Sequence, residues 1–242
     1  MTVKNLLKKL KIDEKAKNKI DETIKKVEAK TTGEIAVAVA PESDSYSFYE
    51  LFFAVILGVV TFTALILLSN QIIPSLEKRF WEMPKWFFAL FVGMISFSVI
   101  AVAFLLSNIT FVDRKIVPTS VQFAAVEAKS ESVFYRAGIN KTKEASGILI
   151  FVSYLEQRVR ILADFGIAEK IPQENWNKIA ADLAKNLKID SGKAICTAVE
   201  ECGKILEENF PAKEENPDEI SNELIILGGG RWEKFKNQSV VC

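Results

Sequence analysis

The chain has 242 residues, 49% hydrophobic and 26% charged, with 31 basic and 31 acidic side chains and no histidine. The missing histidine excludes His-based general acid–base catalysis, Ser-His-Asp and Cys-His triads and histidine zinc sites. A formal net charge of zero, with a basic start that lacks interleaved aromatics, argues against nucleic acid as a partner.

Charge and hydropathy are segregated along the chain. Residues 1–30 hold ten lysines against five acids, and residues 207–223 hold seven acids against Lys213. Ile12, Ala16, Ile20, Ile24 and Val27 recur at helical spacing, which predicts an amphipathic helix over Asp13–Lys30. Its lysine face is either solvated or in contact with anionic lipid. Thr31-Thr32-Gly33 stops it, and Glu34–Ala40 then alternates Ile/Val with Ala as a strand with one large and one small face.

Two uncharged runs follow, eighteen residues over Leu51–Leu68 and twenty over Phe87–Leu106. Each is long enough at ~1.5 Å per residue to cross ~27–30 Å of hydrocarbon. Tyr46, Phe48 and Tyr49 precede the first, and Phe80, Trp81 and Trp86 the second, as aromatic rings do at a lipid–water boundary. The alternative is a pair of buried helices in a large soluble core. Two spans return the chain to the side it left, so the segments before and after them share a compartment. Lys78, Arg79 and Lys85 in the connection nearly balance Arg114 and Lys115 beyond it. With no cleavable signal pattern and no disulfide framework from Cys196, Cys202 and Cys242, the expected side is the cytoplasmic face of a bacterial inner membrane.

Beyond the spans, Pro118–Arg136 reads as a helix with Val121, Ala125, Ala128, Ser132 and Tyr135 inward and Gly138 as its stop. Gly147–Ser153 has the continuous apolar run of a central strand, and Arg158–Asp164 should pair with it antiparallel. Helices are expected over Pro172–Leu187, through Trp176, and after Asp190 or Ser191, through Ile195, Val199, Cys202 and Leu206. The last stretch is read as a polar tail, and Gly228-Gly229-Gly230 lacks the GK[ST] of a phosphate loop.

The segments "TTGEIAVAVAP", "SGILIFVSYLEQRVRILADFGIAEKIPQENW" and a final helix running to "NFP", with a hairpin of spans between the first two, resemble the TPM domain family over Ile12–Pro211. The likeness is to its compact membrane form, whose spans interrupt the domain after the first strand. It implies an α/β fold, a small mixed sheet flanked by helices. The expected division is residues 12–48 and 112–210 for the two parts of the domain, 49–111 for the transmembrane hairpin and 211–242 for the tail. It also implies roles in assembly or repair of membrane complexes, with acid phosphatase activity and divalent-metal binding in some members.

Strand directions predict where chemistry gathers. The first strand and Gly147–Ser153 run parallel and Arg158–Asp164 returns, which places Asp164 beside the start of the first strand. Glu34, Asp164 and Glu169 then meet at one pole as oxygen ligands suited to Ca²⁺ or Mg²⁺, or stand there as solvated acids, with Asp164 fixing a turn. Arg158 and Arg160 share a strand face, either as an anion site or as edge charges that discourage pairing. The expected function is a membrane-anchored module that binds a membrane protein partner; the alternative is a metal-dependent phosphatase.

Overall fold

The computed structural model describes residues 2–78, 84, 86–107, 114–213 and 219–228. Phe80, Trp81, Arg79, Lys85, Gly229, Gly230 and Cys242, all used in the sequence reading, lie outside the described residues. The chain divides into two compact units, residues 1–44 with 120–242, and residues 45–119.

In the first unit, α1 (Val3–Leu10) and α2 (Glu14–Glu28) precede β1 (Glu34–Ala40). Asp13 caps α2 by accepting the Ala16 N–H at 2.7 Å. The domain starts before residue 12, the expected boundary, because Leu6 and Leu10 of α1 are buried in the main core. Eight residues with three lysines carry too short an apolar stripe to stand out by periodicity alone.

β1 pairs parallel with β2 (Gly147–Ser153), from Glu34 opposite Gly147 to Ala40 opposite Ser153, and β2 pairs antiparallel with β3 (Arg158–Ala163). The sheet order is β3-β2-β1-β4, where β4 is Ile225–Ile226, parallel to β1. This is the expected small mixed sheet, with one strand more than the sequence suggested. Residues 219–228 do not behave as a polar tail: Leu224, Ile226 and Leu227 are buried, and the Leu227 N–H donates to the Val39 carbonyl at 2.9 Å.

The two faces of β1 differ as its alternation requires. Ile35, Val37 and Val39 join Ile148, Ile150 and Val152 in a core with α1, α2, α8 (Gln173–Asn186) and α9 (Ser191–Asn209). Trp176, Ile24, Val199 and Leu206 fill that layer. On the other face, Ala36, Ala38 and Ala40 lie with Leu149 and Phe151 beneath α6 (Thr119–Arg136). The buried residues of α6 are Gln122, Val126, Ser130, Val133 and Phe134, one step round from the expected face, while Tyr135 is exposed. Two polar side chains, Gln122 and Ser130, disguise the inward stripe; the Ser130 hydroxyl spends its proton on the Glu127 carbonyl at 2.8 Å.

Gly138, at φ +73°, ends α6 in the left-handed conformation that glycine adopts without strain. A short 3₁₀ turn at Ile139–Lys141 then crosses so close to the start of β2 that a Cβ at Gly147 would meet the Ile139 carbonyl.

The second unit contains α3 (Ser47–Leu67), α4 (Ser69–Glu77) and α5 (Phe87–Ser107). The connection between the two apolar runs, read as a loop, therefore holds a further helix. Ala54 and Gly58 of α3 are buried, as are Val92 and Ser96 of α5, and Gly58 makes room for Ile100. Thr61, Thr63 and Ser98 donate their hydroxyls to the carbonyl four residues back, which satisfies them without water. Both helices, α3 and α5, are long and apolar enough to cross a membrane, and only 17% and 11% of their apolar segments are buried.

Candidate functional site

Register brings Glu34 and Asp164 to one end of the sheet. Glu34 opposes Gly147, and the Asp164 N–H donates to the Gly147 carbonyl at 2.9 Å, so the two acids stand two strand spacings apart, ~10 Å. Their carboxylates have separate surroundings. Glu34 is buried and its Oε2 accepts the Ile220 N–H at 3.3 Å, while Asp164 caps the short helix α7 (Phe165–Ala168) by accepting the Phe165 N–H at 2.8 Å. Glu169 is exposed at the far end of α7. Among the described residues no group of three or more His, Cys, Asp or Glu is arranged to hold a metal ion. Asp164 Oδ2 is buried without a hydrogen-bond partner among the described residues.

Glu34 belongs instead to a set of carboxylates that fasten the C-terminal segment. Glu28 Oε1 accepts the Ile35 N–H at 2.8 Å, and its Oε2 accepts the Asn222 side-chain amide. Asp21 accepts the Leu224 N–H at 3.0 Å, and Glu219 accepts the Lys143 N–H at 2.8 Å. Backbone donors that a two-residue strand leaves over are thus met by side chains of α2 and β1. Lys213 adds a bond to Glu144, and that contact holds the Glu144 carboxyl below the usual carboxylate range.

At the opposite end, the carboxyl ends of β1 and β2 carry a polar group that the sequence reading missed. Glu156, 5% exposed, accepts the Ser43 N–H at 2.9 Å and the Ser153 hydroxyl, and the Ser43 hydroxyl donates to Ser153 Oγ at 2.8 Å. The signal available was Ser153-x-x-Glu156 across a tight turn, in which Gln157 takes φ +50°. Both serines are buried, so the network ties the loop after β1 to the β2–β3 turn and presents no accessible nucleophile.

Arg158 and Arg160 follow neither expectation fully. Arg160 pairs with Glu127 at 2.9 Å and Glu131 at 3.4 Å, and the Arg158 guanidinium lies over the Phe123 ring at 5.7 Å. They bind the edge strand to α6 through residues four apart on that helix. Cys196 and Cys202, six residues apart on α9, are both buried in the main core. Burial pushes the Cys202 thiol up, which keeps it protonated and unreactive.

Comparison with known proteins agrees with this architecture. Residues 115–205 match the TPM domain family. No curated protein matches the chain. Among solved structures, the chain is similar to the BA42 protein from the psychrophilic bacterium Bizionia argentinensis sp. nov., determined by NMR. The two are 16% identical with a TM-score of 0.52, over 89% of this chain and 94% of that one. At that identity the likeness shows a shared fold.

Proposed function

We propose that the chain is a membrane-anchored, TPM-like domain that serves as an interaction or assembly factor for a membrane complex. One observation carries this reading: α3 and α5, each 21 residues long, expose large apolar side chains such as Phe52, Val59, Met94, Phe97 and Leu105. At ~1.5 Å per residue each helix is ~31 Å long, the thickness of a hydrocarbon core. Every such side chain left in water forgoes roughly 1.5–3 kcal/mol of burial, a cost that lipid removes. Both helices lie in sequence between β1 and β2, so a hairpin inserted in one α/β domain accounts for a sheet built from both flanks, on the cytoplasmic side.

Topology is tested by labelling single cysteines, Asp44→Cys and Ala128→Cys, in a chain whose native cysteines are replaced. Labelling from the same side is expected, and opposite sides would overturn the inserted hairpin. Purification in mild detergent should recover a stoichiometric membrane-protein partner; repeated isolation of the bare chain would end the assembly reading.

A second reading, a divalent-cation-assisted phosphatase, rests on the orphaned Asp164 Oδ2. Ca²⁺ takes about 6–8 oxygen ligands, so this reading requires Glu34 to release Ile220 and join Asp164. Cation-dependent hydrolysis of a phosphate ester, lost in Asp164→Asn, is its expected signature; hydrolysis unchanged in that variant would remove this site.

A further inference from the structure

A small cavity of about 210 Å³ opens beside the carboxyl end of β2, between the end of α1 and the turn from α8 to α9. Its charged lining is entirely cationic: Lys9, Lys11 and Lys188, with Tyr154 and Gln157 as further polar groups. The Lys9 ammonium lies over the Tyr154 ring at 5.4 Å, and buried Leu10 fixes this end of α1 to the core. In ordinary proteins, lysines at helix ends answer the unpaired carbonyls there. Here those carbonyls already have donors. Lys11 N–H reaches the Lys8 carbonyl at 3.2 Å, Ile12 N–H the Leu7 carbonyl at 3.0 Å, and Ile189 N–H the Asn186 carbonyl at 3.0 Å. Among the described residues neither Lys11 nor Lys188 has a carboxylate partner.

We infer that this cavity binds a phosphate group. Three lysines and no acidic side chain line this one small hollow, and lysine holds phosphate as a point charge. The volume is below the ~300–1,000 Å³ of pockets for drug-sized ligands, which suits a single head group and not a whole cofactor. The position is outside the carboxyl end of a strand in a parallel pair, where open α/β sheets place their ligands. A phospholipid head group and a soluble phosphate share this chemistry. The inference goes beyond the anchoring role and stands whether or not that role does.

Phosphorus NMR distinguishes the sources on the full chain. One arm holds it in nanodiscs of neutral phosphatidylcholine titrated with inorganic phosphate; the other uses nanodiscs that also contain phosphatidic acid. Saturable shifts are expected in at least one arm, and the responding arm names the source. The triple change Lys9→Gln, Lys11→Gln, Lys188→Gln should weaken that binding by at least about tenfold, whereas Lys188→Arg should keep it within about threefold. Lys15→Gln, Lys25→Gln, Lys178→Gln removes equal charge from exposed helix positions and should leave it intact, with circular dichroism verifying the fold of each variant. Equal losses in both triple variants would reduce the effect to general electrostatic attraction and overturn the site, as would no saturable response in either arm.

Discussion

The two faces of the central sheet are built to different depths. Where β1 offers Ile35, Val37 and Val39, side chains of α1, α2, α7, α8 and α9 complete the layer, Trp176 among them; where it offers Ala36, Ala38 and Ala40, α6 is the one α-helix among the described residues that does. Three methyl groups leave little volume to fill, and Phe151 of the neighbouring strand supplies most of the rest. One strand's alternation of large and small thus decides how much protein stands on each side of the sheet.

The deep face should be the more costly to damage. Trp176→Ala removes its largest fully buried side chain and should lower stability by roughly 3–5 kcal/mol, read by denaturant unfolding of the full chain in an uncharged detergent. A loss under about 1 kcal/mol would contradict the packing described. On the shallow face, enlargement is the sharper probe. Ala38→Leu should cost about 1–3 kcal/mol through overpacking against the α6 layer, while Val37→Ile, one residue away on the deep face, should cost less than about 1.5 kcal/mol. Equal costs would erase the contrast between the faces.

Two further effects probe how the C-terminal segment closes the sheet. Asn222→Ala leaves the buried Glu28 carboxylate without one of its donors and should cost about 1–3 kcal/mol, visible as faster exchange of the Leu227 amide. The Lys213–Glu144 pair is largely exposed, so its contribution stays below about 1 kcal/mol. Because the folded-state pKa of Glu144 is lowered from the ordinary 4.5, that contribution is complete above about pH 4.5 and disappears as pH falls through the lower folded value. Lys213→Met should therefore match the native chain at the most acid pH and fall slightly behind it above pH 4.5, as measured by thermal melts across that range.

A continuous apolar run made β2 legible, because a strand covered on both faces has no use for polar residues, and alternation made β1 and β3 legible. Trp176 and a cap at Asp190 or Ser191 were legible for similar reasons of spacing and chemistry, and Asp190 is the residue that accepts the Lys193 N–H. The stripe of α6 was not, since it is completed by Gln122 and Ser130, which only a tight, shallow layer accepts. β4 is two residues long, and its attachments are carboxylates from α2 and β1 far away in sequence, a pattern with no period to detect. The same holds for the acids: charge and strand direction placed Glu34 and Asp164 at one end correctly, but sequence gave no sign that Ile220 would occupy Glu34.

The parallel pairing of β1 with β2 also sets a schedule. Between Ala40 and Gly147 lie 106 residues, so at synthesis rates of roughly 5–20 residues per second β1 leaves the ribosome about 5–20 s before its partner exists. In that interval α2 is already made, and its Ile20 and Ile24 belong to the layer that covers the large face of the strand. Both hydrogen-bonding edges stay open, on a strand that is apolar beyond Glu34 and carries no proline. The two apolar helices emerge during the same wait, which makes the nascent chain, and not the finished fold, the stage at which this protein is most exposed to wrong partners.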